Sequence, residues 1–100
     1  MENHKGAEVL AEALALITGD RQQSYSHPLD DYQRTVAIFK AVTGIELTVE
    51  QGILFMIGVK LSRLAHELET KQWNPENTRD AAGYLGCLQM VREKKNVTAH

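Results

Sequence analysis

The chain has 100 residues, 43% of them hydrophobic and 24% charged, which suits one globular domain and excludes a disordered tail or a collagen-like repeat. A formal net charge of -2 sets up no global field toward DNA or an acidic membrane, so any anion site must be local. The single cysteine, Cys87, rules out an intrachain disulfide and fits a reducing cytosol.

Four helical segments follow one another. In the first, Val9, Leu10, Ala13, Leu14, Leu16 and Ile17 recur at spacings of three and four, with Lys5, Glu8 and Glu12 on the other face. Glu8 and Glu12 interrupt its apolar part and no small-residue cleavage site follows, so this segment does not read as a signal peptide. Gly19 is placed to stop it. The second starts near Pro28, with Asp30 and Asp31 favoured in its first turn by the helix dipole. Leu29, Tyr32, Val36 and Phe39 form its apolar stripe, and Gly44 ends it.

The third helix opens on a capping box, Thr48 with Gln51. From Gly52 to Leu61 it is apolar nearly all round, which marks a central helix contacted on several sides. A chain this small would struggle to cover it, so self-association into a homo-oligomer is expected. Its apolar run is far below the ~20 residues of a membrane span, and no membrane partner is expected. The fourth helix begins at Asn74 as cap and Pro75 as first residue, runs through "AAGYLGCLQMVREKK", and ends in basic residues. Ala82, Gly83, Gly86 and Cys87 make a strip of small residues suited to close helix packing. No strand-like alternation or repeat persists. The expected fold is all-α: one domain over 1–100, a four-helix antiparallel bundle with short connections.

Polar residues out of place mark the candidate site. Lys60 and Arg63 lie inside the apolar third helix one turn apart, with Glu67 one turn further on. Asp80 and Tyr84 are one turn apart on the fourth. If the two helices leave the Thr70–Asn74 turn antiparallel, Arg63 and Asp80 lie at similar height, and Lys60, Arg63, Glu67, Asp80 and Tyr84 converge. The plain reading is a structural ion pair, Arg63 with Asp80 or Lys60 with Glu67. Two cations within one turn exceed what one aspartate needs, which favours an anionic ligand.

The polar opening "GDRQQSYSHPLDDY" would supply the other wall. Arg21 offers a planar fork for phosphate, Tyr25 a stacking face, and His27 a hydrogen bond near neutral pH. The plainer alternative is a loop whose tyrosine plugs the bundle end. Trp73 is read either as a cap over the bundle end or as an exposed anchor for a protein partner. The "TGIELTVEQG" turn could imitate a helix-turn-helix, but the helix after it lacks residues that read bases, so no nucleic-acid partner is expected.

"GDRQQSYSHPLDDYQR", "GVKLSRLAHE" and "RDAAGYL" together resemble a group of small phage- and prophage-encoded domains of unknown function, over roughly residues 18–92. That group carries a D-R-x-x-x-Y-G-x-P-like opening, a K-x-x-R helix and a D-x-x-G-Y helix; Ser26 stands here where the group usually has glycine. The group in turn resembles the MazG-type all-α nucleoside triphosphate pyrophosphohydrolases and nucleotide-modification-associated phage domains. The resemblance implies a helical bundle, oligomerisation, a phosphorylated nucleotide as ligand, and the cytoplasm of an infected or lysogenic host. MazG-type enzymes hold Mg²⁺ with an E-x-x-E and an E-x-x-D pair. Here Lys60 and Arg63 stand where the first pair is sought, and Asp80 is followed three positions on by Gly83. Glu67, Glu76 and Asp80 are the remaining weak metal candidates.

The expected function is therefore nucleotide binding without turnover or cofactor, through Arg21, Tyr25, His27, Lys60, Arg63, Asp80 and Tyr84, sequestering a host defence signal. The alternatives are a divergent pyrophosphohydrolase that needs Mg²⁺ and a protein inhibitor of a host enzyme.

Overall fold

The computed structural model describes residues 4–19 and 27–99, and the side chains of that set through residue 95. Among them four helices follow in order: α1 Lys5–Thr18, α2 Pro28–Thr43, α3 Val49–Thr70 and α4 Pro75–Ala99. The fold is all-α. No helix among the described residues is long and apolar enough to cross a membrane.

The helix ends follow from side chains that satisfy free backbone groups. At α3 the Thr48 hydroxyl accepts from the Gln51 N–H at 3.1 Å, and Gln51 Oε1 accepts from the Thr48 N–H at 2.8 Å. Both halves of the expected capping box are present. Gly44 ends α2 in the left-handed region at φ 77°, where a glycine carries no side-chain penalty. Lys71 ends α3 in the same region at φ 58° without being glycine. The fourth helix extends to Ala99, past the basic residues expected to close it. No glycine or proline lies between Lys94 and Ala99 to break it.

α3 and α4 run antiparallel side by side. Contacts link Glu67 to Asn77, Lys60 to Asp80 and Glu50 to Lys95, so residue numbers fall on one helix as they rise on the other. α2 lies against both, and Leu29, Tyr32, Val49, Ile53, Ile57 and Val91 form the buried cluster between the three. On α3 the buried positions Ile53, Ile57, Lys60 and Glu67 follow spacings of four, three and seven, one face of the helix.

α1 touches α4 and no other helix among the described residues. It seats on the small-residue strip: a Cβ built on Gly86 would lie 2.6 Å from Ile17 Cδ1, and one on Gly83 would lie 3.6 Å from Ile17 Cγ2. With one neighbour only, α1 buries Ala13 and leaves Leu10 and Leu14 of its apolar stripe exposed. α3 likewise leaves Leu54, Phe55, Leu61 and Leu68 exposed.

Candidate functional site

Lys60 is buried on the inner face of α3, and its ammonium lies 3.0 Å from Asp80 Oδ2. Arg79 Nε donates to the other oxygen, Asp80 Oδ1, at 3.1 Å. Burial raises the Asp80 carboxyl, but the hydrogen bonds from Lys60 and Arg79 outweigh it and hold the group below its ordinary value. The ion pair is thus Lys60 with Asp80 and Arg79, not Arg63 with Asp80 or Lys60 with Glu67.

Glu67, a second buried acid, closes the turn between the helices. Its Oε1 accepts from the Asn74 N–H at 2.7 Å and from Asn77 Nδ2 at 3.1 Å. Asn74 Oδ1 in turn accepts from the Glu76 N–H at 3.0 Å. Glu67 therefore holds the start of α4 onto the end of α3.

Arg63 does not join this cluster. A step of three residues turns a helix by ~300°, so Arg63 lies ~60° round from Lys60, off the buried face. Its side chain is exposed. It borders an open groove of about 570 Å³ whose walls include Arg63, His66, Glu67, Trp73, Asn74 and Asn77. Trp73 is 72% exposed at the rim, which corrects the expectation of a cap packed on the bundle end. A second, more apolar groove of about 420 Å³ meets Arg63 from the other side, between Phe55, Gly58, Val59 and Ser62. Arg63 thus borders both a groove of mixed polarity with an indole and a more apolar one with a phenyl ring.

The other expected site residues lie apart. Tyr84 packs against the buried cluster of α2, α3 and α4. It is partly buried there. His27 is the N-cap of α2: Nδ1 accepts from the Leu29 N–H at 3.0 Å. That bond needs an unprotonated Nδ1, and burial together with the nearby Lys94 lowers the imidazole from its ordinary value, against a smaller opposing pull from Asp30. Arg21 and Tyr25 lie outside the described residues. Of the convergence expected at Lys60, Arg63, Glu67, Asp80 and Tyr84, only Lys60 and Asp80 meet directly.

The metal candidates do not come together. Asp80 is engaged by two cations, Glu67 by the helix start, and Glu76 is exposed. No three His, Cys, Asp or Glu side chains among the described residues could jointly hold a metal ion. These residues do not fit a Mg²⁺ cage, which needs several oxygens around one point.

Two residues of the groove, His66 and Trp73, were not singled out for this role by sequence. His66 follows Arg63 by three positions, a spacing that puts them side by side and could have revealed it. Trp73 gave no such signal, because periodicity says nothing of where a turn residue points.

With this geometry in hand, similarity decides the lineage. Residues 8–92 match the family DUF6378, a domain of unknown function. The chain belongs to that family. It is also similar to the Gene 55 protein of Mycobacterium phage D29, 27% identical over 86 residues that cover 86% of this chain and 54% of the phage protein. The chain therefore spans about half the length of the relative it matches. No solved structure matches it.

Proposed function

We propose that this DUF6378 protein is a small self-associating binder of a phosphorylated nucleotide or nucleotide-derived signal, which it holds without turnover. The phosphate sits against Arg63 and His66, and the base lies against Trp73. The observation that carries this reading is an exposed guanidinium beside an imidazole and a 72% exposed indole, all on one groove of about 570 Å³. A planar guanidinium suits phosphate, and an indole offers a face on which any base can stack. The volume falls within the usual range for small-molecule sites.

The nucleotide comes from the distant resemblance of the phage-domain group to MazG-type enzymes, from which Lys60 and Arg63 depart by standing where those enzymes carry carboxylates; among the described residues no carboxylates are grouped to hold a metal, which favours binding over hydrolysis. In a phage setting such a protein would sequester a nucleotide signal used by host defence. Lys60 takes a structural part in this reading, because Asp80 already neutralises it.

Isothermal titration with nucleoside triphosphates, cyclic dinucleotides and inorganic phosphate tests the proposal. Micromolar or tighter binding of at least one nucleotide is expected, weakened at least tenfold by Arg63→Gln. Binding of none of them at that level overturns it. The exposure of Trp73 also favours a second reading, in which the indole anchors a host protein. Capture of a partner that depends on Trp73 and not on Arg63 would select that reading.

A further inference from the structure

α3 carries two parallel seams, and the fold uses one. Ile53, Ile57, Lys60, Leu64 and Glu67 face the rest of the chain. One residue further along each time, Leu54, Gly58, Leu61, Ala65 and Leu68 are all exposed. Their spacings of four, three, four and three are those of a heptad seam, the pattern by which helices pair in coiled coils. Leucine stands at every seventh position, and a small residue stands between each pair. No charged residue interrupts the seam.

We infer that this seam pairs with the same seam of a second copy of the chain, the two α3 helices running antiparallel about a two-fold axis. Three features of the surface select a second copy as the occupant. The first is shape. In an antiparallel pair Leu61 of one helix can lie opposite Gly58 of the other and Leu54 opposite Ala65, so large meets small in these four layers, with Leu68 at the end of the seam beyond them. A parallel pair would stack Gly58 on its own copy and leucine on leucine, alternating thin and thick layers. A two-fold interface must be complementary to itself, and this alternation is.

The second is charge. A self-pairing surface brings its charges near their own copies, and a seam without charge incurs no like-charge repulsion. The third is area. Leu54, Leu61 and Leu68 are 52%, 55% and 66% exposed, and Phe55 beside them is 65% exposed. With the small residues between, this gives on the order of 500 Å² of apolar surface per chain, toward the upper end of the largest patch a typical monomer exposes, and such patches often serve in contacts. Two copies would hide on the order of 1,000 Å², the size at which specific interfaces begin. Gly58 in the seam also has nothing within 4 Å of where a Cβ would stand, so a neighbouring helix can approach the backbone closely.

The seam lies away from the ligand groove. Leu54 and Arg63 are nine residues apart, which on a helix is ~180°, so a dimer leaves the groove of Arg63, His66 and Trp73 open, while Phe55 and Gly58 line the second, more apolar groove. The pairing stands independently of the nucleotide reading, and either can fail alone.

Sedimentation equilibrium of the full chain without ligand tests it. The wild type is expected to be a dimer, and Leu61→Glu and Ala65→Glu are expected to weaken dimerisation at least tenfold with unchanged far-ultraviolet helicity. Val42→Glu, a control at a 79% exposed position on α2, is expected to leave the dimer intact. A wild type that stays monomeric at millimolar concentration overturns the inference. So does a dimer that survives Leu61→Glu or is broken by Val42→Glu. Under oxidation Leu54→Cys is expected to form no disulfide-linked dimer, and ready formation of one overturns the antiparallel arrangement.

Discussion

Lys60 shows how a polar residue inside an apolar run can be legible as unusual while its partner is not. Its place in the sequence marks it as buried, and antiparallel geometry brings Asp80 to its height. What the spacing alone misjudged was rotation: Arg63, three positions on, falls off the buried face, while Lys60, seven before Glu67, stays on it. Removing one partner of such a pair strands the other. Lys60→Met is expected to cost about 2 kcal/mol in urea denaturation, below the ~3–5 of a fully buried pair, because Asp80 is partly exposed and keeps Arg79. Adding Asp80→Asn should recover part of that loss, with a coupling of about 1 kcal/mol in a double-mutant cycle.

His27 invites a pH test at the same scale. The native state holds its ring neutral as a helix cap, so its proton affinity is lower folded than unfolded. Over the range below the ordinary value of 6.5 the unfolded chain binds the extra proton, and stability falls with falling pH. The stabilisation is complete above that value and is lost as pH drops toward the lowered native one. Melting curves between neutral and mildly acid pH should show a steeper loss for the wild type than for His27→Asn, which caps without titrating. Equal slopes would remove the cap from the account.

At the scale of elements, the ends of the helices were the most readable part of the sequence. Pro28, Gly44, the Thr48 and Gln51 box, and Asn74 before Pro75 all stand where local chemistry placed them. Thr48→Ala should cost about 1 kcal/mol. Lys71 was not legible: nothing in "ETKQW" marks a left-handed residue, and the lysine bears that conformation without a glycine's freedom. Lys71→Gly should therefore stabilise the chain by about 1 kcal/mol in thermal or urea unfolding. The two glycines of α3 should behave oppositely. A Cβ on Gly52 would lie 2.9 Å from Val36 Cγ1, on a stiff β-branched side chain, whereas one on Gly58 meets nothing. In dilute, monomeric protein Gly58→Ala should gain about 0.5–1 kcal/mol and Gly52→Ala should lose stability. Which helices touch was harder to read than where they end. The apolar stripe of α1 predicts burial, but contact with α4 alone leaves Leu10 and Leu14 exposed.

Across the whole molecule, the same apolar abundance that makes the fold also leaves faces uncovered, and this was legible only as an excess. The all-round greasiness of α3 implied something beyond one chain; that the excess is a regular leucine seam emerged once the covered positions were known. The candidate groove was less legible still. Arg63 was in view, but Trp73 depends on how a short turn directs one side chain. In the proposed groove Arg63 is the working cation and Lys60 a structural one, with the indole as the surface on which a base would rest. Trp73 is the chain's one tryptophan, so its emission reports this place alone. Titration with the panel of nucleoside triphosphates and cyclic dinucleotides, followed by that emission, should give for at least one of them saturable quenching with a micromolar midpoint in the wild type and in Lys60→Met, and a midpoint at least tenfold higher in Arg63→Gln. Emission that stays unchanged to millimolar concentrations of every nucleotide in the panel, or quenching that Arg63→Gln leaves intact, would contradict this reading.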